Sequence, residues 1–183
     1  LLVGFAETAT AIGAQAAISV GARYIQTTRE VIPGVEYLFF SEEHSHATEQ
    51  KLVKDDIDAV ADEIDRIIFI EDEVTTGKTI LNIISILERR YFGKFKFSVA
   101  SILNGMNEES LNLYREREIP LHYLVKTDHS TYEEKARKFA GEGEYYAPVE
   151  SEAAAYSYIE VNGALNARHL VESKQYVQGC REL

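Results

Sequence analysis

One run of thirteen residues concentrates the chemistry of this chain: Ile67-Ile68-Phe69-Ile70-Glu71-Asp72-Glu73-Val74-Thr75-Thr76-Gly77-Lys78-Thr79. An apolar strand delivers acids at its carboxyl end, a turn of hydroxyls and glycine follows, and a helix then begins. Ligands of open α/β sheets bind at that edge. Backbone N–H groups at a helix start, helped by Thr75, Thr76 and Thr79 hydroxyls, can surround a phosphate, and Gly77 lets the backbone approach it closely. The acids repel that phosphate. They suit sugar hydroxyls, or a metal bridging to other phosphates. Together these features describe a sugar phosphate held at both ends. Gly77-Lys78-Thr79 also invites comparison with a nucleotide P-loop, but that motif needs glycine five residues before the Gly-Lys pair, where this chain has Asp72.

Other polar residues fall near the same edge. Gly4-Phe5-Ala6-Glu7-Thr8 follows the first apolar run, and Arg29 follows the second strand. Glu7 either complements a helix dipole or faces a diphosphate across a magnesium ion. Arg29 either forks onto a diphosphate or pairs with Glu30 or another surface carboxylate. His44 and His46 alternate in a polar stretch. His-X-His in a strand puts both rings on one side, as a metal site needs, but no third ligand is evident. Alternatively they belong to a loop that closes over a ligand and stabilises a departing anion. Lys78 points either at phosphate or at solvent. Cys180 has no partner for nucleophilic chemistry near it in sequence, and as the single cysteine it forms no intramolecular disulfide or Cys-based zinc site.

The elements that must carry these residues alternate. Leu1 to Phe5 reads as a buried strand, and Glu7 to Val20 as a helix capped by Thr8 or Thr10 and ended by Gly21. Ala22 to Thr27 is a second strand. Thr28 to Lys51 contains Pro33-Gly34 and the strand Tyr37 to Phe40, and reads as a hairpin or mobile excursion. Asp65 to Asp72 is a central parallel strand and Val74 to Thr79 a turn. Ile80, Ile83, Ile84 and Leu87 mark one face of a helix ending near Arg90. A strand over Phe95 to Leu103, a helix over Glu108 to Glu118, a strand over Leu121 to Lys126 and a helix over Tyr132 to Ala140 follow. The expected fold is α/β: an open, mostly parallel sheet with helices on both faces and a hairpin with a flexible loop.

The 183 residues are 45% hydrophobic and 27% charged, enough to bury a core. Nineteen basic against thirty acidic residues give a net charge of −11, which disfavours a broad nucleic-acid or anionic-membrane surface. No apolar run reaches transmembrane length, no signal-peptide pattern is present, and the single cysteine fits a cytoplasmic setting. The opening Leu1-Leu2-Val3 reads as a strand already inside the core of a chain whose first residues lie upstream of this sequence.

The thirteen-residue run resembles the phosphoribosyl-pyrophosphate (PRPP) motif of type I phosphoribosyltransferases. The resemblance implies that Glu71 and Asp72 hold the ribose hydroxyls, that Thr75, Thr76, Gly77, Lys78 and Thr79 cradle the 5-phosphate, and that Phe5, Ala6, Glu7 and Thr8 bind pyrophosphate through backbone amides. Mg²⁺ would arrive with PRPP, touching Glu71 and Asp72, and Arg29, His44 and His46 would assist the leaving group. Some purine-specific relatives carry Asp where Thr75 stands, so activation of a purine is in doubt. Gly4-Phe5-Ala6-Glu7-Thr8-Ala9, Thr27-Thr28-Arg29-Glu30 and Phe40 to Thr48 are similar to a narrower bacterial family. That family is encoded in tellurium-resistance and stress-associated operons and is thought to make a nucleoside-like product. The likeness covers about residues 1–128, the expected core. Residues 129–183 would be a hood over the acceptor, with Asn166 and Arg168 as candidates, or the start of a following region. The implied activity is transfer of a phosphoribosyl group to a nitrogenous acceptor with release of pyrophosphate. A regulator that binds PRPP without turnover is the alternative, and a homodimer is an expected assembly.

Overall fold

The computed structural model describes residues 1–40, 50–139 and 178. The chain divides into two compact units, Leu1–Phe139 and Ala140–Leu183, and the first is described here.

Strand β1 (Leu2–Gly4) leads into helix α1 (Ala9–Val20), and β2 (Tyr24–Thr28) returns alongside β1. Strands β3 (Tyr37–Phe40) and β4 (Gln50–Val53) precede the short helix α2 (Lys54–Asp58). Then come β5 (Arg66–Val74), α3 (Lys78–Arg90), β6 (Lys96–Asn104), α4 (Glu108–Glu116), β7 (Leu121–Lys126) and α5 (Tyr132–Lys138). The seven strands form one sheet in the order β3-β4-β2-β1-β5-β6-β7. The pairs β1–β2, β1–β5, β5–β6 and β6–β7 are parallel, whereas β4 runs antiparallel to both β2 and β3. This is the expected α/β architecture, with the excursion after β2 drawn into the sheet through β4. The sequence reading missed β4 and α2, since Gln50-Lys51-Leu52-Val53 has no clear alternation and its strand character comes from pairing on both sides.

Period-two alternation divides the central strands between two layers. Val3, Ile67, Phe69 and Phe97 pack with Ile80, Ile83, Ile84 and Leu87 of α3. Leu2, Ile68 and Ile70 pack with Ile12, Ala16 and Ala17 of α1. Two glycines permit the α1 side to close: a Cβ on Gly4 would lie 2.4 Å from the Tyr24 hydroxyl, and one on Gly13 2.8 Å from the Tyr24 ring. Helix α1 ends on Gly21 in the left-handed conformation, as expected, but neither threonine side chain caps its start. The Thr10 hydroxyl donates to the Glu7 carbonyl instead, and Thr8 reaches Asp72. Strand β5 runs to Val74, into the segment expected to turn, because its ladder with β6 continues to the Val74–Asn104 pair. Asn107 caps α4, accepting from the Ser110 N–H at 2.9 Å, and that helix ends at Glu116, before Glu118.

Candidate functional site

All parallel strands deliver their carboxyl ends to one edge, so β1, β2, β5, β6 and β7 each contribute a loop there. Glu71 and Asp72 stand half-exposed on β5. The Asp72 N–H donates to Glu71 Oε1 at 3.2 Å. Burial pushes the Asp72 carboxyl up, but hydrogen bonds with Glu71 and Thr8 and from backbone N–H groups outweigh it, so Asp72 lies below its ordinary value. The β1–α1 loop and the β5 carboxylates are thereby linked through one threonine hydroxyl.

The turn after β5 is built from the core outward. Gly77 has φ +71°, a left-handed conformation, and a Cβ there would lie 2.4 Å from Met106 Cε and 2.5 Å from the Tyr114 hydroxyl oxygen. Tyr114 is fully buried on α4, and its hydroxyl donates to the Gly77 carbonyl at 2.6 Å; burial raises this phenol well above its usual pKa. The Gly105 N–H donates to the Val74 carbonyl at 2.8 Å, fixing the start of the turn. The Lys78 N–H is taken by Thr76 Oγ1 at 3.4 Å and the Leu81 N–H by the Gly77 carbonyl. Among the described residues the N–H groups of Thr76, Gly77 and Thr79 have no protein acceptor. They form an open donor set at the positive end of α3. The Lys78 side chain is exposed.

The β1–α1 loop divides its own groups. Phe5 is in the core, and its N–H donates to the Ile70 carbonyl at 3.1 Å. The Ala6 N–H donates to Thr27 Oγ1 (2.7 Å), the Thr27 hydroxyl to Gln50 Oε1 (2.7 Å), and Gln50 Nε2 back to the Ala6 carbonyl (3.0 Å). The Ala6–Glu7 peptide bond is cis. Glu7 and Thr8 are exposed, and among the described residues their N–H groups have no protein acceptor. Of the four loop residues singled out in the sequence, Phe5 and Ala6 thus anchor the loop, whereas Glu7 and Thr8 present free donors. Gln50 had not been singled out, and only the strand pairing of β4 with β2 brings it to Thr27.

Arg29 follows β2 at the same edge and is half-buried, and its carbonyl accepts from Lys51 Nζ at 3.3 Å. His44 and His46, and likewise Asn166, Arg168 and Cys180, lie outside the described residues. The structure adds a group that sequence spacing did not reveal. His129, after β7, places Nε2 3.1 Å from Glu73 Oε1 and 2.9 Å from Thr127 Oγ1. It lines a cavity of about 660 Å³ whose wall also includes Thr75 and Thr76. Glu73 and His129 are fifty-six positions apart, so only the adjacency of β5, β6 and β7 brings them together.

Two unrelated chemistries can meet at this edge: donors for anions on the β1 and α3 sides, and carboxylates with an imidazole between them and β7. Solved structures share the fold. Adenine phosphoribosyltransferase from Thermoanaerobacter pseudethanolicus aligns at 16% identity, covering 69% of this chain and 68% of that one, with a TM-score of 0.50. The enzyme from Leishmania donovani aligns at 15% identity over 68% of this chain and 55% of that one, also at 0.50. The Rhodothermus marinus enzyme gives 19% identity, 69% and 68% coverage and a TM-score of 0.49. No curated protein matches. A family described as phosphoribosyl transferase matches residues 1–130, a span that holds β1 through β7 and every described residue of the edge discussed above. The chain therefore belongs to this phosphoribosyl transferase family.

Proposed function

We propose that the chain transfers a phosphoribosyl group from PRPP to a nitrogenous acceptor, releasing pyrophosphate. The observation that carries this reading is the paired Glu71 and Asp72 carboxylates beside the open N–H groups of Thr76, Gly77 and Thr79. Carboxylates accept hydrogen bonds from ribose hydroxyls, and the α3 amide groups donate to the 5-phosphate. The free donors of Glu7 and Thr8 suit the diphosphate, and Arg29 suits it as a counter-charge.

Two adjacent, half-exposed carboxylates fit a magnesium ion, which takes one or two carboxylates together with substrate phosphates. Glu71 and Asp72 would hold it. When bound, magnesium offsets the charge of the diphosphate. In the reaction the bond from the anomeric carbon to pyrophosphate breaks, with its electron pair leaving on the pyrophosphate oxygen. Positive charge grows on the sugar ring, and the Glu71 and Asp72 carboxylates favour it. The acceptor nitrogen forms the new bond from the opposite face. The similarity of the β1–α1 loop and the segment after β2 to the tellurium-resistance operon family supports a nucleoside-like product and a stress-associated role.

Calorimetric titration of PRPP with Mg²⁺ tests the site. Wild-type protein is expected to bind, and Asp72→Asn to bind at least tenfold more weakly. A folded wild type that does not bind PRPP, or an Asp72→Asn variant that binds equally well, refutes the reading.

A further inference from the structure

The two halves of the proposed site meet at one side chain. Strand β1 pairs in parallel with β5 so that Gly4 lies opposite Ile70, and the Phe5 N–H donates to the Ile70 carbonyl at 3.1 Å. The loop after β1 therefore starts beside the strand that carries Glu71 and Asp72. Most of its backbone is already held. The Ala6 N–H and carbonyl belong to the ring with Thr27 and Gln50. The Glu7 carbonyl accepts from the Thr10 hydroxyl at 2.8 Å, and the Ala9 N–H donates to the Phe5 carbonyl at 3.2 Å. Between these anchors stands Thr8, exposed, with its hydroxyl hydrogen-bonded to the Asp72 carboxylate.

A carboxylate only accepts, so the Thr8 hydroxyl donates. A carboxylate has about four acceptor positions, enough for Thr8, the backbone N–H groups that reach Asp72 and a ribose hydroxyl at the same time. Thr8 also carries one of the N–H groups assigned above to the diphosphate. In the empty site water competes for this exposed pair, and the bond is weak. A ribose that covers Asp72 excludes that water and fixes the carboxylate, so the Thr8 hydroxyl gains a stationary acceptor. The Thr8 N–H is then held in place before the diphosphate arrives, and the ordering cost of binding it falls. Like charge on the 5-phosphate and the diphosphate opposes this coupling, and magnesium offsets part of that repulsion.

We infer that Thr8 is a positioning residue that couples the two halves of the site: through its hydroxyl on Asp72, bound ribose 5-phosphate tightens the binding of magnesium pyrophosphate. By linkage, pyrophosphate tightens ribose 5-phosphate by the same factor. The inference rests on the phosphoribosyl reading above and adds the side chain that joins its two ligand groups.

Calorimetry on the full chain tests it. Ribose 5-phosphate is titrated first, then pyrophosphate with Mg²⁺, alone and at saturating ribose 5-phosphate. The readout is the ratio of the two pyrophosphate dissociation constants. In the wild type, ribose 5-phosphate is expected to tighten pyrophosphate at least fivefold. Thr8→Val keeps a similar shape without the donor, and should lower that ratio at least threefold. Thr8→Ser keeps the hydroxyl and should stay within twofold of the wild-type ratio, a rescue that a merely structural role of the threonine methyl would not give. Thr8→Ala, held to the same threshold, replaces the valine variant if that protein does not melt cooperatively. A wild-type ratio below fivefold overturns the inference. So does a smaller change in Thr8→Val, or a Thr8→Ser ratio more than twofold from wild type. Pyrophosphate that fails to bind beside bound ribose 5-phosphate also overturns it and leaves the ribose half of the site standing. Failure of ribose 5-phosphate itself to bind overturns the phosphoribosyl reading, and this inference with it.

Discussion

Replacing Gly77 by alanine probes how the turn between β5 and α3 is held from beneath. Two costs arise. The left-handed backbone at φ +71° is unfavourable for an L-residue by about 1–2 kcal/mol. The new methyl group would also overlap Met106 Cε and the Tyr114 ring and hydroxyl, at 2.4 to 2.7 Å. Met106 ends in a flexible thioether and can move. Tyr114 is fully buried and fixed by its hydrogen bond to the Gly77 carbonyl, so the overlap costs roughly 1–3 kcal/mol of overpacking. The sum, about 2–5 kcal/mol, is a large share of an ordinary domain's stability and corresponds to a Tm lower by roughly 6–15 °C. Thermal unfolding reads this directly, and ribose 5-phosphate affinity should fall at least tenfold in parallel as the amide groups are displaced. The Gly77→Ala/Tyr114→Phe double variant removes the overlapping hydroxyl, so the two losses should sum to more than the double loss by about 0.5–1.5 kcal/mol. A Gly77→Ala protein that melts within 2 °C (about 0.7 kcal/mol) of wild type would refute the argument, as would strict additivity with Tyr114→Phe.

Two further outcomes follow from hydrogen-bond rings elsewhere. Gln50→Ala removes one member of the Ala6–Thr27–Gln50 ring and leaves buried polar groups unpaired, costing about 1–3 kcal/mol. Because this ring anchors the β1–α1 loop, pyrophosphate affinity should fall more than ribose 5-phosphate affinity in calorimetry, and an equal loss would contradict the loop assignment. Tyr91 is pushed by burial and by its hydrogen bond to Asp58 from 10.0 up to about 12. Its contribution is therefore complete below pH 10 and lost as pH rises through about 12; screened at this partly exposed site it is worth roughly 1 kcal/mol. Tyr91→Phe should remove that part of the alkaline stability loss in denaturant melts between pH 9 and 12, and an unchanged slope would count against it.

The strand and helix reading was legible where periodicity was strong. The apolar runs of β1 and β5 and the i, i+3, i+4, i+7 stripe of α3 had one way to be buried, and the acids and hydroxyls between β5 and α3 marked the edge at which they emerge. The Glu71–Asp72 pair and the Thr75–Thr79 turn are contiguous in the chain, so local order alone marks them as one segment, while Tyr114 and Gly105 fix its conformation. The β4 strand was not legible. Its identity depends on ladders with β2 and β3, and Gln50 gains its place only when Thr27 of another strand supplies the hydroxyl. The reach of β5 to Val74 likewise comes from its pairing with Asn104 of β6.

Local spacing was enough for the α/β class, the central strand and the turn that follows it, because these rest on neighbours within a few positions. The packing of β1 against its neighbours set how the loop amides divide: Phe5 and Ala6 donate to Ile70 and Thr27, while Glu7 and Thr8 have no acceptor among the described residues. Tertiary structure also decided that Tyr114 would rise beneath Gly77 and that Glu73 would meet His129. Those contacts join residues thirty-seven and fifty-six positions apart; their energy depends on strand order and helix packing, which no local spacing encodes.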